Sequence, residues 1–203
     1  MIVVIDYGMG NLRSVSKALE HLGANVTVSS DPQVLERAQK VVLPGVGAFG
    51  DAVRELHRAG LFDPLTEYIR RGGLFMGICL GLQLLFEESE ESPGMKGLGI
   101  FPGKVQRFRS TDVKVPHMGW NQVSITKAHP AVRGLEDGSY FYFVHSYYAP
   151  ADATTPTVGQ CVYGSEAFSA MIGTDTLFAA QFHPEKSQQA GLKILKNFAE
   201  WNP

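Results

Sequence analysis

Apolar and polar positions alternate in blocks along the first half of the chain, and their spacing separates strands from helices. Apolar positions three or four residues apart predict helices over 12–22, 61–71 and 80–87. A further helix, carrying Val53 and Leu56, would be capped at its start by Asp51. Between them lie short apolar runs typical of buried strands, at 2–6, 25–28, 41–43 and 74–78. Strands that alternate with helices indicate βαβ units and a parallel sheet.

The second half has a different pattern. Short apolar or alternating runs follow one another with only turns between them, at 105–108, 122–125, 140–148, 157–162, 168–172 and 177–182. Strands joined by short turns favour antiparallel additions to the sheet, and residues 191–201 close the chain as a helix. We therefore expect an α/β fold with three layers, a mostly parallel central sheet with antiparallel additions, and one domain over 1–203.

Composition excludes several classes of protein. The chain has 203 residues, 44% hydrophobic and 19% charged, and a formal net charge of −2, which gives no electrostatic footprint for nucleic acid or an anionic membrane. No apolar run approaches the ~20 residues of a membrane span, and residues 1–6 lack the basic segment of a signal peptide. Two cysteines form no disulfide framework, so we expect a reducing, cytoplasmic compartment. The sequence suggests neither a metal site nor a cofactor.

The segment Gly77-Ile-Cys79-Leu-Gly81 lies between a predicted strand and a predicted helix. This is the context of a nucleophile elbow, with cysteine in place of serine. Side chains two residues either side of such a sharp turn would collide, which explains the glycines. The following helix would favour the thiolate, and the Leu80 N–H would point at a developing oxyanion. By itself the motif leaves open a buried structural cysteine, which is how we interpret Cys161.

A thiol nucleophile needs a base, and the sequence has six histidines. His183 follows an apolar strand, so its side chain would project from the sheet end, and Glu185 two residues later could orient the imidazole. His21 and His57 fall on predicted helices, and His129 in a turn. The spacing does not decide roles for His117 and His145.

Two glycine-rich loops follow strands. The loop 44–50 begins Pro-Gly-Val-Gly and lacks the pattern of a phosphate-binding loop, so a second oxyanion donor at Val46 or Gly47 is the better interpretation. The loop after the first strand has Arg13 where a dinucleotide fingerprint needs its third glycine.

Together these segments resemble a known family. Residues 77–83, Gly-Ile-Cys-Leu-Gly-Leu-Gln, with Phe182-His-Pro-Glu185, are similar to the class I (triad) glutamine amidotransferases, whose fold is flavodoxin-like. The segments 6–12, 44–50 and 114–121 resemble the glutaminase subunits of imidazole glycerol phosphate synthase, and the resemblance covers essentially the whole chain. Leu82 stands where methionine is common.

The resemblance implies roles for particular residues. Cys79 would attack the glutamine side-chain amide, His183 would be base and then acid, and Glu185 would orient it. Amides at Leu80 and at Val46 and Gly47 would form the oxyanion hole. The substrate's amino-acid group would be bound by Gln83, Glu91, Ser146 and Tyr147.

The resemblance also implies a partner, a (β/α)8 cyclase subunit in a heterodimer. It would use the ammonia to convert the ribonucleotide PRFAR to imidazole glycerol phosphate and AICAR, in histidine biosynthesis. The residues implied at the partner face are Asn11, Lys186, His117, Met118, Trp120 and Asn121, with the segment 116–121 as a loop. Remaining alternatives are a glutaminase for pyridoxal phosphate or anthranilate synthesis, a cysteine peptidase of the same fold, and an inactive regulatory subunit.

Overall fold

The computed structural model of the protein describes residues 1–202, and two β-sheets organise them. The strands are β1 (Ile2–Ile5), β2 (Val26–Ser29), β3 (Lys40–Gly45), β4 (Leu74–Cys79), β5 (Phe86–Ser89), β6 (Phe101–Arg107), β7 (His117–Ile125), β8 (Ser139–His145), β9 (Tyr147–Tyr148), β10 (Thr157–Tyr163), β11 (Glu166–Gly173) and β12 (Leu177–Ala180). The α-helices are α1 (Leu12–His21), α2 (Pro32–Glu36), α3 (Phe49–Arg58), α4 (Phe62–Arg70), α5 (Leu80–Gln83) and α6 (Gln188–Glu200). Short 3₁₀ turns cover Pro130–Val132 and Pro184–Lys186.

The larger sheet has nine strands in the order β2-β1-β3-β4-β12-β11-β10-β7-β8. From β2 to β12 every neighbouring pair is parallel, and from β12 to β8 every pair is antiparallel. The smaller sheet has three strands in the order β5-β6-β9. Its first strand, β5, follows α5 in the chain. The predicted α/β class, with a parallel beginning and antiparallel additions, is confirmed.

Helices cover both faces of the parallel strands. Along β1, Ile2 and Val4 belong to one apolar cluster and Val3 and Ile5 to the other, as the two-residue period of a strand requires. The first cluster contains residues of α1 and α6, and the second contains residues of α2, α3 and α4. Strands buried on both faces explain why these segments are continuous apolar runs.

Several details of the structure differ from the predicted elements. The helix predicted over 80–87 ends at Gln83, and Phe86 and Glu87 belong instead to strand β5. Asp51 lies in the first turn of α3, whose N-cap is Ala48. Helix α2, capped by the Asp31 side chain, was not predicted.

The remaining correction concerns β7 and β12. The segment 117–121 is not a loop, because β7 begins at His117 and pairs with β8 from His117 to Val123. Strand β12 belongs to the parallel half of the sheet although it comes late in the chain. No helix within residues 1–202 is long and apolar enough to cross a membrane.

Candidate active site

The turn at the end of β4 has the strained backbone expected of a nucleophile elbow. Cys79 has φ 55° and ψ −106°, in a region that non-glycine residues rarely occupy. A Cβ atom on Gly77 would lie 2.7 Å from the carbonyl oxygen of Gly81, and one on Gly81 would lie 2.1 Å from that of Leu43. Only glycine therefore fits on either side of Cys79, for the steric reason that the sequence suggested.

The sheet places two other segments beside this turn. Strand β3 is parallel to β4 with Gly45 opposite Cys79, and β12 is parallel to β4 on the other side with Ala180 opposite Ile78. The residues that follow these strands, 46–47 and 181–183, thus leave the sheet on either side of Cys79. Carboxyl ends of adjacent parallel strands are where ligands bind in α/β sheets.

His183 and Glu185 form a buried pair behind Cys79. His183 Nδ1 and Glu185 Oε1 are 2.9 Å apart, and both side chains are almost completely inaccessible to solvent. The Asn11 side-chain amide donates to the same Glu185 oxygen at 3.2 Å. His183 Nε2 has no aligned hydrogen-bond partner among the described residues, so this nitrogen is the one available toward the thiol and a substrate.

The environment of His183 favours its protonated form. Burial lowers the pKa of His183, but interactions with the Cys79 sulfur and with Glu185 outweigh burial and raise the pKa to about 10. The imidazole is thereby arranged to hold a proton next to a sulfur at neutral pH. Such a proton can be given to a leaving amine.

A pocket of about 390 Å³ opens above Cys79. Its lining contains nine residues for which the sequence predicted a role, namely Val46, Gly47, Cys79, Leu80, Gln83, Glu91, Ser146, Tyr147 and His183. Pro116, Val144 and His145 complete the lining and were not predicted to belong to it.

Two of the predicted glutamine-binding side chains are already held by protein groups. The Glu91 carboxylate accepts from the backbone N–H of Phe49 at the start of α3, at 2.7 Å. The Gln83 amide donates to the carbonyl of Tyr147 at 2.9 Å. Gly47 has φ +100°, and Val46 before it is 40% exposed, so the loop after β3 presents backbone to the pocket.

The residues predicted at the partner face separate into two groups. Met118 and Trp120 are 61% and 46% exposed on the outer face of β7, and the Trp120 ring lies 6.1 Å from that of Tyr142 on β8. Lys186 reaches the same Tyr142 ring, with Nζ 5.9 Å from its centroid. These four residues form an exposed surface, here called the β7–β8 face, close to His183.

His117 does not belong to that face, and its predicted place at the partner surface is wrong. Its side chain is 3% exposed and stacks between aromatic rings, because a strand alternates its side chains and His117 is one residue out of step with Met118. Asn121 is half-buried, and its amide donates to the carbonyl of Val162. Asn11 also turns inward, toward Glu185.

A family model described as glutamine amidotransferase class-I matches residues 3–201. The chain belongs to this family. Among similar class I amidotransferases is the imidazole glycerol phosphate synthase subunit HisH of Syntrophotalea carbinolica, 50% identical over 206 residues, covering 98% of this chain and all of the relative. The subunits of the same name from Methanothermobacter thermautotrophicus and Nitrosomonas europaea are 52% and 48% identical, and the alignments cover at least 98% of every chain.

Several solved structures share the architecture at much lower identity. A glutamine amidotransferase crystal structure matches with a TM-score of 0.75 at 18% identity, covering 98% of this chain and 99% of that one. The structure of PurLQS from Thermotoga maritima matches with a TM-score of 0.71 at 20% identity, covering 97% and 96%. At this distance the likeness concerns the fold alone.

Sequence reasoning missed two buried polar groups of this amidotransferase site. Gln181 is fully buried and donates through Nε2 toward the Cys79 sulfur at 3.7 Å. Its spacing of two from His183 was the available signal, since alternate residues of an extended chain share a side. Tyr7, after β1, is 2% exposed, and its hydroxyl has no partner within residues 1–202. Cys161 is buried in β10, where burial raises the pKa of its thiol to about 12.

Proposed function

We propose that the chain is the glutaminase subunit of an imidazole glycerol phosphate synthase, with Cys79, His183 and Glu185 as its catalytic triad. The observation that carries the proposal is the meeting of the strained Cys79 turn and the buried His183–Glu185 pair at one pocket. Identities of about 50% over almost the whole chain to HisH subunits support the pathway. The same comparisons favour it over the pyridoxal phosphate, anthranilate and peptidase alternatives.

The chemistry follows from the charge on His183. The Cys79 thiolate attacks the side-chain amide carbon of glutamine, and His183 gives its proton to the departing nitrogen, which leaves as ammonia. A glutamyl thioester remains on the sulfur. His183, now neutral, takes a proton from water, the hydroxide attacks the thioester, and glutamate leaves as the sulfur again becomes a thiolate. Glu185 holds the imidazole through Nδ1 and stabilises its cation.

The oxyanion formed in both steps needs two donors. The Leu80 N–H, at the first residue of α5, is one. An N–H of the Val46–Gly47 segment is the other, supported by the position of both residues at the pocket. Helix α5 has only four residues, so its dipole contributes little and the local N–H contributes most.

The pocket contains groups that suit the amino-acid group of glutamine. Gln83, Glu91 and the backbone of Ser146 and Tyr147 line it, and a carboxylate beside carbonyl oxygens favours a substrate ammonium group. Glu91 is held by the first turn of α3 and is thus ordered before the substrate arrives.

The proposed partner is a (β/α)8 cyclase subunit, which takes the ammonia and converts PRFAR to imidazole glycerol phosphate and AICAR. The β7–β8 face is the proposed docking surface, because it is exposed, aromatic and adjacent to His183. Lys186 belongs to this face, whereas Asn121 lies on the other side of β7, beside His117. We further propose one domain over residues 1–203, acting in the cytoplasm, in keeping with two unpaired cysteines.

The main test compares glutamine-dependent and ammonia-dependent synthesis in a complex with a cyclase subunit. Cys79→Ala should abolish the glutamine-dependent reaction and leave the ammonia-dependent reaction of the partner intact. An electrophilic glutamine analogue should label Cys79, while Cys161→Ala is the matched control, since the buried Cys161 should neither be labelled nor be needed. Full glutamine-dependent activity in Cys79→Ala would exclude the proposed triad.

A second test concerns control of the glutaminase by the partner. Glycines lower the barrier to a peptide flip, so the Val46–Gly47 segment is suited to bring a donor into the oxyanion hole when the cyclase binds. One donor is worth about 10²–10³ in rate, enough for a switch. Hydrolysis by the isolated chain should be weak and strongly stimulated by the cyclase and its ribonucleotide. Equal turnover of the isolated chain and the complex would exclude this control.

A further inference from the structure

A chain of buried hydrogen bonds ends at the Cys79 sulfur, and the triad does not account for it. Gln181 is fully inaccessible to solvent, and its Nε2 lies 3.7 Å from Cys79 Sγ. On its other side, Gln181 Oε1 accepts from Gln83 Nε2 at 3.2 Å. A buried carboxamide is costly unless paired, so the position of Gln181 calls for a reason.

The direction of each bond in this chain is determined by one carbonyl. The Tyr147 carbonyl oxygen can only accept, so Gln83 must turn its NH₂ group toward it, at 2.9 Å. The second N–H of that NH₂ then meets the oxygen of Gln181. Gln181 is left with its own NH₂ group facing Cys79, which excludes the flipped orientation of the amide.

The Tyr147 carbonyl also accepts a hydrogen bond from His145, and His145 in turn bonds to His117. His145 Nδ1 lies 2.8 Å from the Tyr147 oxygen, so Nδ1 carries the proton and Nε2 accepts from His117 Nδ1 at 3.0 Å. Burial lowers the pKa of His145 to about 3 and that of His117 to about 4. Both rings therefore stay neutral at physiological pH and keep these tautomers.

We propose that Gln181 is a positioning residue for the nucleophile, holding the Cys79 sulfur as a thiolate through an N–H donor whose orientation Gln83 and Tyr147 fix. This rests on the proposed role of Cys79. The thiolate accepts a hydrogen bond far better than a thioester sulfur, because the bond is assisted by charge. Gln181 thus stabilises the thiolate before attack and again as the leaving group when water opens the thioester.

The division of work between Gln181 and His183 follows. His183 must deliver its proton to the departing nitrogen, and a thiolate held by His183 alone would compete for that proton. A second donor, neutral and fixed, keeps the sulfur ionised while the imidazolium proton is transferred. Gln181 gives no proton itself, since a carboxamide does not ionise in this range.

The test measures the rate of Cys79 alkylation by iodoacetamide against pH in the full-length chain. Gln181→Met keeps the length of the side chain and removes the donor, so the midpoint of the alkylation profile should move up by about one pH unit, as expected for loss of a charge-assisted bond. Asn197→Leu is the matched control. Asn197 is also a buried carboxamide, but it bonds to the carbonyls of Ala131 and Arg133, and its loss should leave the midpoint unchanged.

A second variant guards against failure of Gln181→Met to fold. Gln83→Met leaves Gln181 in place but frees its amide to rotate, and a smaller upward shift is expected. An unchanged midpoint in a folded Gln181→Met chain would overturn the proposal, as would a shift as large in Asn197→Leu. Loss of glutamine-dependent synthesis in Cys79→Ala would still stand in that case, so failure of this inference is separable from failure of the triad.

Discussion

At the scale of single residues, the proposed chemistry depends most on the protonation of His183. Its pKa, ordinarily 6.5, is raised to about 10 in the folded chain, where its interactions with Cys79 and Glu185 outweigh burial. Because the unfolded chain releases this proton at lower pH, the interaction stabilises the fold fully below about pH 6.5, and the stabilisation is lost as pH rises towards 10. Histidine thus favours the folded state through its charged form.

We expect NMR titration of the histidine ring protons to detect this. Wild-type His183 should titrate far above the ordinary range, and Glu185→Gln should lower its pKa because one of the charges that raises it is gone. His145, with a pKa of about 3, serves as the internal control and should not titrate near neutrality. A wild-type His183 that titrates near 6.5 would contradict the charge assignment.

Activity should separate the two members of the buried pair. His183→Ala should lose roughly 10²–10⁴ in glutaminase rate, as for removal of a general acid and base. Glu185→Gln should lose less, since glutamine still accepts from Nδ1 through its carbonyl oxygen and only the charge disappears. Steady-state glutamine hydrolysis in the cyclase complex measures both, and wild-type turnover in His183→Ala would require another base.

Tyr7 offers a test of stability at one buried atom. Its hydroxyl is unpaired within residues 1–202, and burial together with the charge of Cys79 raises its pKa well above the ordinary value. An unpaired buried polar group costs about 1–3 kcal/mol, so Tyr7→Phe should leave the free energy of unfolding unchanged or raise it. Urea denaturation measures this, with Tyr68→Phe as the control. Because the Tyr68 hydroxyl donates to the carbonyl of Leu74, its removal should lower the free energy of unfolding.

At this scale the sequence predicts residues with a strong local pattern and misses those defined by distant contacts. Cys79 is marked by its two glycines, and His183 with Glu185 by their position after an apolar strand. Gln181 bonds to residues about one hundred positions away, and its spacing of two from His183, the one local signal, does not identify those partners. His117 was misplaced because the start of β7 determines which side each residue faces, and that start was not predicted.

Among the secondary-structure elements, the turn between β4 and α5 is packed closely against the backbone of its neighbours. A Cβ on Gly81 would overlap the carbonyl oxygen of Leu43 in β3, and the backbone of a central strand cannot move aside. Gly60, between α3 and α4, has φ +67° and open space around it. The two glycines therefore serve different needs, one steric and one conformational.

Substitution by alanine should distinguish them. Gly81→Ala should cost about 1–3 kcal/mol or more of stability by overpacking and should also prevent labelling of Cys79, because the elbow must shift. Gly60→Ala should cost about 1–2 kcal/mol for a left-handed backbone and leave labelling intact. Urea denaturation and labelling by an electrophilic glutamine analogue measure the two effects. Normal labelling in Gly81→Ala would show that the turn tolerates a side chain.

Strands and helices buried on two faces were predictable, and elements that depend on distant pairing were not. The apolar runs of β1, β3 and β4 are long enough to identify from their own residues. Residues 84–87 continue the apolar positions of α5 and were predicted to extend that helix, yet Phe86 pairs with Phe101 in β6, and this strand pairing ends the helix. Local periodicity carries no information about such a partner.

For the whole molecule, the two halves of the large sheet have different tasks. The parallel half brings the ends of β3, β4 and β12 together at Cys79. The antiparallel half ends in β7 and β8, and the loop carrying Glu185 is tied to β8, because the N–H of His183 donates to the carbonyl of Tyr142. The proposed docking face and the triad thus share one backbone connection.

The β7–β8 face should therefore govern association with the cyclase. Trp120 is a large, half-exposed aromatic side chain at its centre, and such anchors contribute roughly 2 kcal/mol to binding, so Trp120→Ala should weaken the affinity for the cyclase by about tenfold or more. Lys186→Ala should reduce the stimulation of glutaminase activity more than it affects glutamine binding. Asn11→Ala should lower stimulated turnover as well, but through Glu185, which its amide holds.

A matched control lies at the opposite edge of the same sheet. Val28 in β2 is 45% exposed, and seven strands lie between β2 and β8 in the sheet order. Val28→Ala removes a similar kind of exposed apolar group without touching the β7–β8 face. Titration calorimetry of each variant with the cyclase should show a weakened affinity for Trp120→Ala and an unchanged one for Val28→Ala. Equal affinities of wild type and Trp120→Ala would place the partner elsewhere, and an effect of Val28→Ala would point to the β2 edge.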